Sequence, residues 1–299
     1  MGDTWTVKRI LDWTVGFFET GSVPEPRLSA ELLLAHALSC RRIDLYVQFE
    51  RILSMAEREA CRELVRRRAA HEPVQYIIGE TEFMGLPFAV NPAVLIPRPD
   101  TETLVDAVLE HARTLPVPPR ILDIGTGSGC IAVSLAHHLP GAAVTAIDIS
   151  EAALAVAEGN AARNGVTVAF RHLDMRDLAA LAQPFDIVVS NPPYIGEGEW
   201  AGLERQVRDY EPREALLAPD EGMAGYALLA EAAPALTGEA GRIYLECGYR
   251  QARSVAGLLA AQGLQTGIRR DFTHIERVVY AARQLPEAGD DPHQERITQ

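Results

Sequence analysis

The sequence predicts an α/β fold with a mostly parallel sheet, preceded by a small all-helical domain and joined to it by a β-hairpin. Three observations carry that reading. From Arg120 onward short apolar runs alternate with Ala- and Leu-rich stretches, the order of a sheet covered by helices on both faces. Before His71 the apolar residues recur at helical spacing instead. Between His71 and Asp100, "TEFMGLPFAVNPAVLIPRPD" alternates aromatic and aliphatic residues around Gly85 and Pro87, as a hairpin does. A chain of 299 residues is long enough for two domains, since single cores stop growing at about 250 to 300 residues. The boundaries that follow are 1–72 for the helical domain, 73–99 for the connector, 100–284 for the sheet domain and 285–299 for a flexible tail.

Each element has its own signal. Ile10, Leu11, Val15 and Phe18 share one helix face, and Ala30, Leu32, Leu33, Leu34 and Ala37 supply another. "SMAE", Ser54 to Glu57, has the spacing of a capping box and opens a third helix through "CRELVRRRAA". Its arginines Arg62, Arg66, Arg67 and Arg68 read more simply as a solvated helix face than as a partner-binding strip. The strands of the second domain are "RILDIG", "AVTAIDIS", "VTVAFRHLD", "FDIVVSNPP", "GRIYLECG" and "ERVVYAAR". The closing "LPEAGDDPHQERITQ" is polar and Pro-containing, the composition of a frayed tail.

Composition narrows the function. A net charge of -13, from 41 acidic against 28 basic residues, speaks against gripping nucleic acid by a general field. Lys8 is the only lysine, a composition bias before it is a functional signal. Cys40, Cys61, Cys130 and Cys247 form no C-x-x-C pair, so neither a metal site nor a disulfide framework is expected. The N-terminus has no unbroken apolar h-region, and no stretch reaches the roughly 18 apolar residues of a membrane span. A cytoplasmic, monomeric protein without a membrane partner is expected.

Two loops at strand ends carry the chemistry. "ILDIGTGSGCIA" runs from a buried strand into Gly125, Thr126, Gly127, Ser128 and Gly129 before a helix, a turn in which a ligand can approach the backbone. A dinucleotide fingerprint reads G-x-G-x-x-G and seats a pyrophosphate. This one reads G-x-G-x-G and follows Asp123, whose carboxylate would repel a pyrophosphate and suit a cation. S-adenosylmethionine, with its sulfonium and α-ammonium groups, fits. Asp148, followed by Ile149, ends the next strand where an acid can take both ribose hydroxyls; it could instead cap the helix that follows, with Ser150 and Glu151 beside it. Asp174 and Met175 close the third strand at the place for adenine, and Arg176 could serve there instead.

The second loop is "IVVSNPPYIG". Ile187 to Val189 read as a buried strand, and Pro192 and Pro193 end its ladder because they donate no backbone hydrogen bond. Asn191 and Tyr194 are thereby fixed on a stiff loop at a strand's carboxyl end, where open α/β sheets place ligands.

With these residues in hand, the chain resembles a class I S-adenosylmethionine-dependent methyltransferase with a Rossmann-like sheet. More closely, it resembles the HemK/PrmC-type protein-(glutamine N5) methyltransferases, which modify the glutamine of the Gly-Gly-Gln motif in class 1 peptide-chain release factors. The resemblance runs through "PVQYIIGETEFMG", "VLIPRPDTETLV", "LDIGTGSGCIA", "SNPPYI", "YEPREAL" and "YLECGYRQ". "LAPDEGMAGY" and "RDFTHIERVV" depart from the family's usual wording. The resemblance implies a catalytic role for Asn191, Pro192 and Tyr194: the Asn191 side-chain oxygen and the Pro192 carbonyl accept the two amide hydrogens while Tyr194 stacks on the amide. Asn191 would also touch the cofactor, and Pro193 the substrate. Phe83, Arg98 and Glu102 would shape and close the site, though each reads equally as packing or a surface ion pair. The helical domain would serve substrate recognition, and the reaction would modulate translation termination. A nucleic-acid adenine or guanine N-methyltransferase shares N-P-P-Y and is the alternative, although no aromatic-plus-basic track supports stable nucleic-acid binding.

Overall fold

The computed structural model describes residues 4–181 and 183–285 and the strand at 294–297. They form two compact units: residues up to Glu80 together with Glu204–Tyr210, and Thr81–Leu203 together with the residues from Glu211 onward.

The first unit is helical. α1 (Val7–Thr20) is capped by Thr6, whose hydroxyl accepts from the Arg9 N–H at 3.3 Å. α2 (Pro26–Ala37) opens on proline, α3 (Arg42–Val47) is a short helix with no forewarning in the periodicity, and α4 (Met55–Ala69) opens on the expected capping box. In that box the Glu57 N–H donates to Ser54 Oγ at 3.2 Å and the Ser54 N–H to Glu57 Oε2 at 2.8 Å. Val7, Ile10, Leu11, Phe18, Leu33, Leu34, Leu45 and Val65 bury together. Residues 74–78, expected within the hairpin connector, instead form α5 (Val74–Ile78) and add Val74 and Ile77 to this core. Gly79, at φ +86°, ends it.

The arginine stripe divides. Arg62 and Arg66 lie exposed beside Glu59 and Glu63, as a solvated face would. Arg68 does not: it is 2% exposed, and its guanidinium donates to Ser29 Oγ, Pro24 O, Glu72 O and Gln206 Oε1 at 2.9 to 3.1 Å. Four oxygens turned inward make its burial tolerable.

β1 (Glu80–Phe83), which enters the second unit at Thr81, and β2 (Leu86–Ala89) form the expected hairpin. Along the chain follow α6 (Glu102–Ala112), β3 (Arg120–Ile124), α7 (Cys130–His138), β4 (Ala143–Asp148), α8 (Glu151–Arg163), β5 (Ala169–His172) and β6 (Ile187–Ser190). The short α9 (Arg205–Arg208) belongs to the first unit. Then come α10 (Ala224–Thr237), β7 (Arg242–Glu246), α11 (Ala252–Ala261), β8 (Gln265–Arg270), β9 (Glu276–Ala282) and β10 (Gln294–Ile297).

The sheet order is β10-β8-β9-β7-β6-β3-β4-β5. β5, β4, β3, β6 and β7 run parallel, and β9 pairs antiparallel with both β7 and β8. Alternation along each strand gives the sheet two apolar faces. Ile121, Ile187 and Val189 pack with α6 and α7, while Leu122, Ile124, Val188 and Leu245 pack with α10 and α11. β3 has β4 on one side and β6 on the other, so the connections part there and a crevice opens beyond the strands' carboxyl ends.

Two strands were not legible. In "QTGIRR" of β8 the apolar run is broken by glycine, which is required because a Cβ on Gly267 would stand 2.2 Å from Tyr280 Cζ. Gln294–Ile297, expected in the tail, pairs antiparallel with β8; residues 286–293, 298 and 299 of that tail lie outside the described residues. Among the described residues no helix is long and apolar enough to cross a membrane, and no group of three His, Cys, Asp or Glu could hold a metal ion.

Candidate active site

The glycine turn sits directly after β3. The Gly125 and Thr126 N–H groups donate to Ile147 O at 2.9 and 3.0 Å, which folds the turn over the end of β4. Gly129, at φ +80°, lets α7 approach α8: a Cβ there would stand 3.0 Å from that of Ala157. Beside Gly125 and Gly127 nothing lies within 4 Å of where a Cβ would be, so both present bare backbone to open space.

Asp148 ends β4 half-buried, with Oδ2 accepting from the Gly127 N–H at 2.8 Å and Oδ1 from the Ser150 N–H at 2.9 Å. The cap of α8 is Ser150, whose hydroxyl accepts from the Ala153 N–H at 3.1 Å. Asp148 thus holds the glycine turn, and Ile149 beside it is 55% exposed. Asp123 differs from its expected position: it is wholly enclosed rather than open to a ligand. Oδ2 accepts from the Thr126 hydroxyl at 2.6 Å, and Oδ1 has no partner. Burial pushes its pKa up to about 7 against the pull of the Thr126 and Ala132 hydrogen bonds. It supports the turn from beneath, alongside the buried Ser128.

At the third strand end Asp174 is committed to Arg176, accepting from its N–H at 2.8 Å and from its guanidinium. Met175 packs partly buried on the apolar cluster of α10 and α11. Gly125, Gly127, Asp148 and Ile149 are thus gathered at one strand-end crevice, with acidic groups below, a fit for a nucleoside carrying a cationic tail.

The N-P-P-Y loop leaves β6 next to this turn. Ser190 Oγ donates to Ile124 O at 2.7 Å, and the β6–β7 register pairs Ser190 with Leu245, so Asn191 emerges beside Glu246. Asn191 Nδ2 donates to Thr101 Oγ1 at 3.3 Å, and Thr101 and Asn191 both favour the ionised form of the neighbouring Glu246 carboxylate. Among the described residues no hydrogen bond ends on Asn191 Oδ1 or on Pro192 O.

Beyond the prolines the loop is clamped. Tyr194 O accepts from Gln251 Nε2 at 2.9 Å, Gln251 Oε1 accepts from the Gly248 N–H at 3.1 Å, and Ile195 bridges Leu217. Pro192 is buried and Pro193 and Tyr194 half-buried. Burial pushes the Tyr194 phenol up to about 12, so it stays protonated. Cys130 is pushed up to about 12 by the same cause and offers no thiolate.

Three expected pocket residues are otherwise engaged. Phe83 is a core ring, 2% exposed and edge-on to Phe88 at 6.1 Å, so it offers a substrate no free surface. Arg98 pairs with the buried Glu211, which also accepts from the Ile96 N–H at 3.1 Å. Glu102 accepts from the Met84 N–H at 2.9 Å and fastens the hairpin turn. Thr101, Glu246, Gln251 and Gly222 escaped the sequence reading. The signal for Glu246 was available: like Asp148, it is an acid ending an apolar strand.

Residues 9–79 match the PrmC N-terminal domain family, and residues 101–203 match the methyltransferase small domain family. A release factor glutamine methyltransferase of Chlorobaculum tepidum is 44% identical over 282 residues, covering 91% of this chain and 96% of that one. Its counterpart from Geobacter sulfurreducens is 43% identical, covering 93% and 96%. The hMettl16 catalytic domain, solved with a MAT2A 3'UTR hairpin, aligns with a TM-score of 0.53 at 17% identity over 74% of this chain and 82% of that one. The 16S rRNA N2 G1207 methyltransferase of T. thermophilus, solved with AdoMet and guanosine, aligns at 0.50 and 18% over 69% and 50%. These two likenesses establish the fold, that of the class I methyltransferases. Identity over nearly the whole length decides the rest: the chain belongs to the release factor glutamine methyltransferase family.

Proposed function

We propose that the chain transfers a methyl group from S-adenosylmethionine to the side-chain amide nitrogen of the Gly-Gly-Gln glutamine in a class 1 release factor, in the cytoplasm, and so modulates translation termination. The observation that carries this reading is the pair of uncommitted acceptors, Asn191 Oδ1 and Pro192 O, on a loop clamped by Gln251 and bridged to Leu217. An amide nitrogen is a poor nucleophile because its lone pair is delocalised into the carbonyl. Two acceptors that take both of its hydrogens draw charge onto nitrogen and turn the lone pair toward a methyl group placed over it. The glycine turn, Asp148 and Ile149 would hold the cofactor, with Asp174, Met175 and the enclosed Asp123 behind them. When bound, it supplies an electrophilic methyl on a sulfonium.

With the Tyr194 phenol and the Cys130 thiol both protonated, the chain's contribution is orientation, worth several kcal/mol of barrier. The prolines and the Gln251 clamp make it preorganised, so little rearrangement accompanies substrate arrival. Tyr194 would cover the amide plane; Pro193, Arg98 and Glu102 would hold the walls.

The deciding experiment offers labelled methyl donor with release factor, duplex DNA or RNA. Label is expected in the release factor alone and is lost when the motif glutamine is replaced. Label in nucleic acid, or none in the release factor, overturns the proposal.

A further inference from the structure

We propose that Glu246 is a positioning residue for the transfer: it holds the Asn191 amide with Nδ2 toward the sheet and Oδ1 toward the acceptor nitrogen. This rests on the reading of Asn191 given above. A side-chain amide has two orientations of nearly the same shape, and only one presents oxygen to a substrate N–H. Something must distinguish them. An ionised carboxylate accepts and never donates, so it fixes the polarity of every hydrogen bond that ends on it.

Glu246 sits at the end of β7 beside Asn191, 1% exposed. Thr101 Oγ1 accepts from Asn191 Nδ2 at 3.3 Å, which leaves its hydroxyl hydrogen for another acceptor, and Thr101 and Asn191 both favour the ionised form of Glu246 against burial. The proposed path reads N–H to O–H to carboxylate, with its direction set at the carboxylate end. A neutral group at 246 could donate as well as accept. The hydroxyl could then reverse, and the Asn191 amide could turn over.

Nothing about Glu246 suggests a contribution to stability. Oε2 has no hydrogen-bond partner although it is buried, and an incompletely satisfied buried carboxylate disfavours folding. Around it, Arg277 favours the charge while Asp100 opposes it, and Tyr194, Tyr226, Cys130 and Cys247 also feel it. Arg277 is itself shared with Asp100 at 2.9 Å and Asp271 at 3.3 Å. Burial dominates and pushes the Glu246 carboxyl up to about 7. Orientation of Asn191 is then lost as pH falls through neutrality.

The test compares Glu246→Gln and Thr101→Val with the parent. Glu246→Gln should lower the single-turnover rate roughly 10- to 100-fold, less than loss of the acceptor itself. S-adenosylmethionine affinity by calorimetry should stay within about threefold, since the direct cofactor contacts are untouched. The parent's fall in rate below about pH 7 should be absent in the variant. Thr101→Val removes the relay hydroxyl while keeping the carboxylate, so a smaller loss is expected. Hydrogen exchange of the Asn191 side-chain amide, read by nuclear magnetic resonance, needs no substrate: slow exchange above neutrality in the parent and fast exchange in Glu246→Gln are expected. A Glu246→Gln variant with the parent's rate, acid limb and exchange overturns the proposal, as does an unaltered Thr101→Val if Glu246→Gln does not fold. A parent that labels no release factor overturns the proposed function instead, and the exchange measurement still decides the orientation.

Discussion

In the proposed function, the chemistry at Asn191 comes down to which end of one amide faces outward. Asn191→Ala removes an acceptor from a preorganised site, a loss that costs roughly 10² to 10³ in rate. Cofactor affinity should change far less, and single-turnover rates at saturating cofactor check both. Asn191→Asp is more discriminating. It keeps an outward oxygen but sets a second carboxylate beside Glu246, and two carboxylates sharing a site hold one proton between them. Partial activity is expected, with its optimum moved to lower pH; an optimum that stays put would mean the two groups do not interact. The position of Asn191 was legible as a polar residue before two prolines at a strand end, although an ordinary turn out of a sheet has the same pattern. Thr101 was not, and Glu246 only as an acid ending an apolar strand. Glu246 comes beside Asn191 through the register of β6 on β7, and Thr101 from the turn before α6; both lie far off in sequence, and no local pattern encodes that meeting.

Among the elements, the stiffness of the N-P-P-Y loop depends on a turn well downstream of it. Gly222 has φ +85°, and a Cβ there would stand 2.0 Å from Tyr194 O. Gly222→Ala must therefore displace the loop or its own turn, costing about 1 to 3 kcal/mol of stability and a large part of turnover. Gly159, inside α8 with nothing within 4 Å of its would-be Cβ, is the control: alanine there should stabilise by roughly 0.5 to 1 kcal/mol. Melting curves and single-turnover rates for both separate steric displacement from a general sensitivity to alanine. Elements with continuous apolar runs or a capping box were readable, as β3, β6, β7 and the start of α4 show. β8 escaped because Gly267 yields its space to the Tyr280 ring, and α5 because five residues are too few to display a period.

For the molecule entire, two buried carboxylates shape the response to pH. Burial raises Asp123 and Glu246 to about 7, from 3.8 and 4.5. Between about pH 4 and 7 the folded protein holds protons there that the unfolded chain has released, so stability from these two groups falls as pH rises. His111, lowered to about 4 by burial, works in the opposite direction. The prediction is thus a difference: an Asp123→Asn, Glu246→Gln protein should gain stability relative to the parent across that window. Denaturant midpoints at stepped pH test it, and a constant offset would show that neither carboxyl titrates there. Selectivity belongs to the same scale. A free Gly-Gly-Gln tripeptide should be a much poorer acceptor than a folded release factor; equal rates would remove recognition from the helical unit.

The path of the backbone sets a rule for rebuilding this enzyme. Glu204–Tyr210 is encoded far from the other residues of the helical unit yet completes it: Gln206 Oε1 receives the Arg68 guanidinium at 3.0 Å, and the Tyr210 hydroxyl donates to Ala70 O at 2.9 Å. A graft of the N-terminal helices onto another methyltransferase, cut where the sequence changes composition, would leave Arg68 enclosed and one acceptor short. Moving the helical unit intact between relatives therefore means moving two stretches of gene, the second only seven codons long.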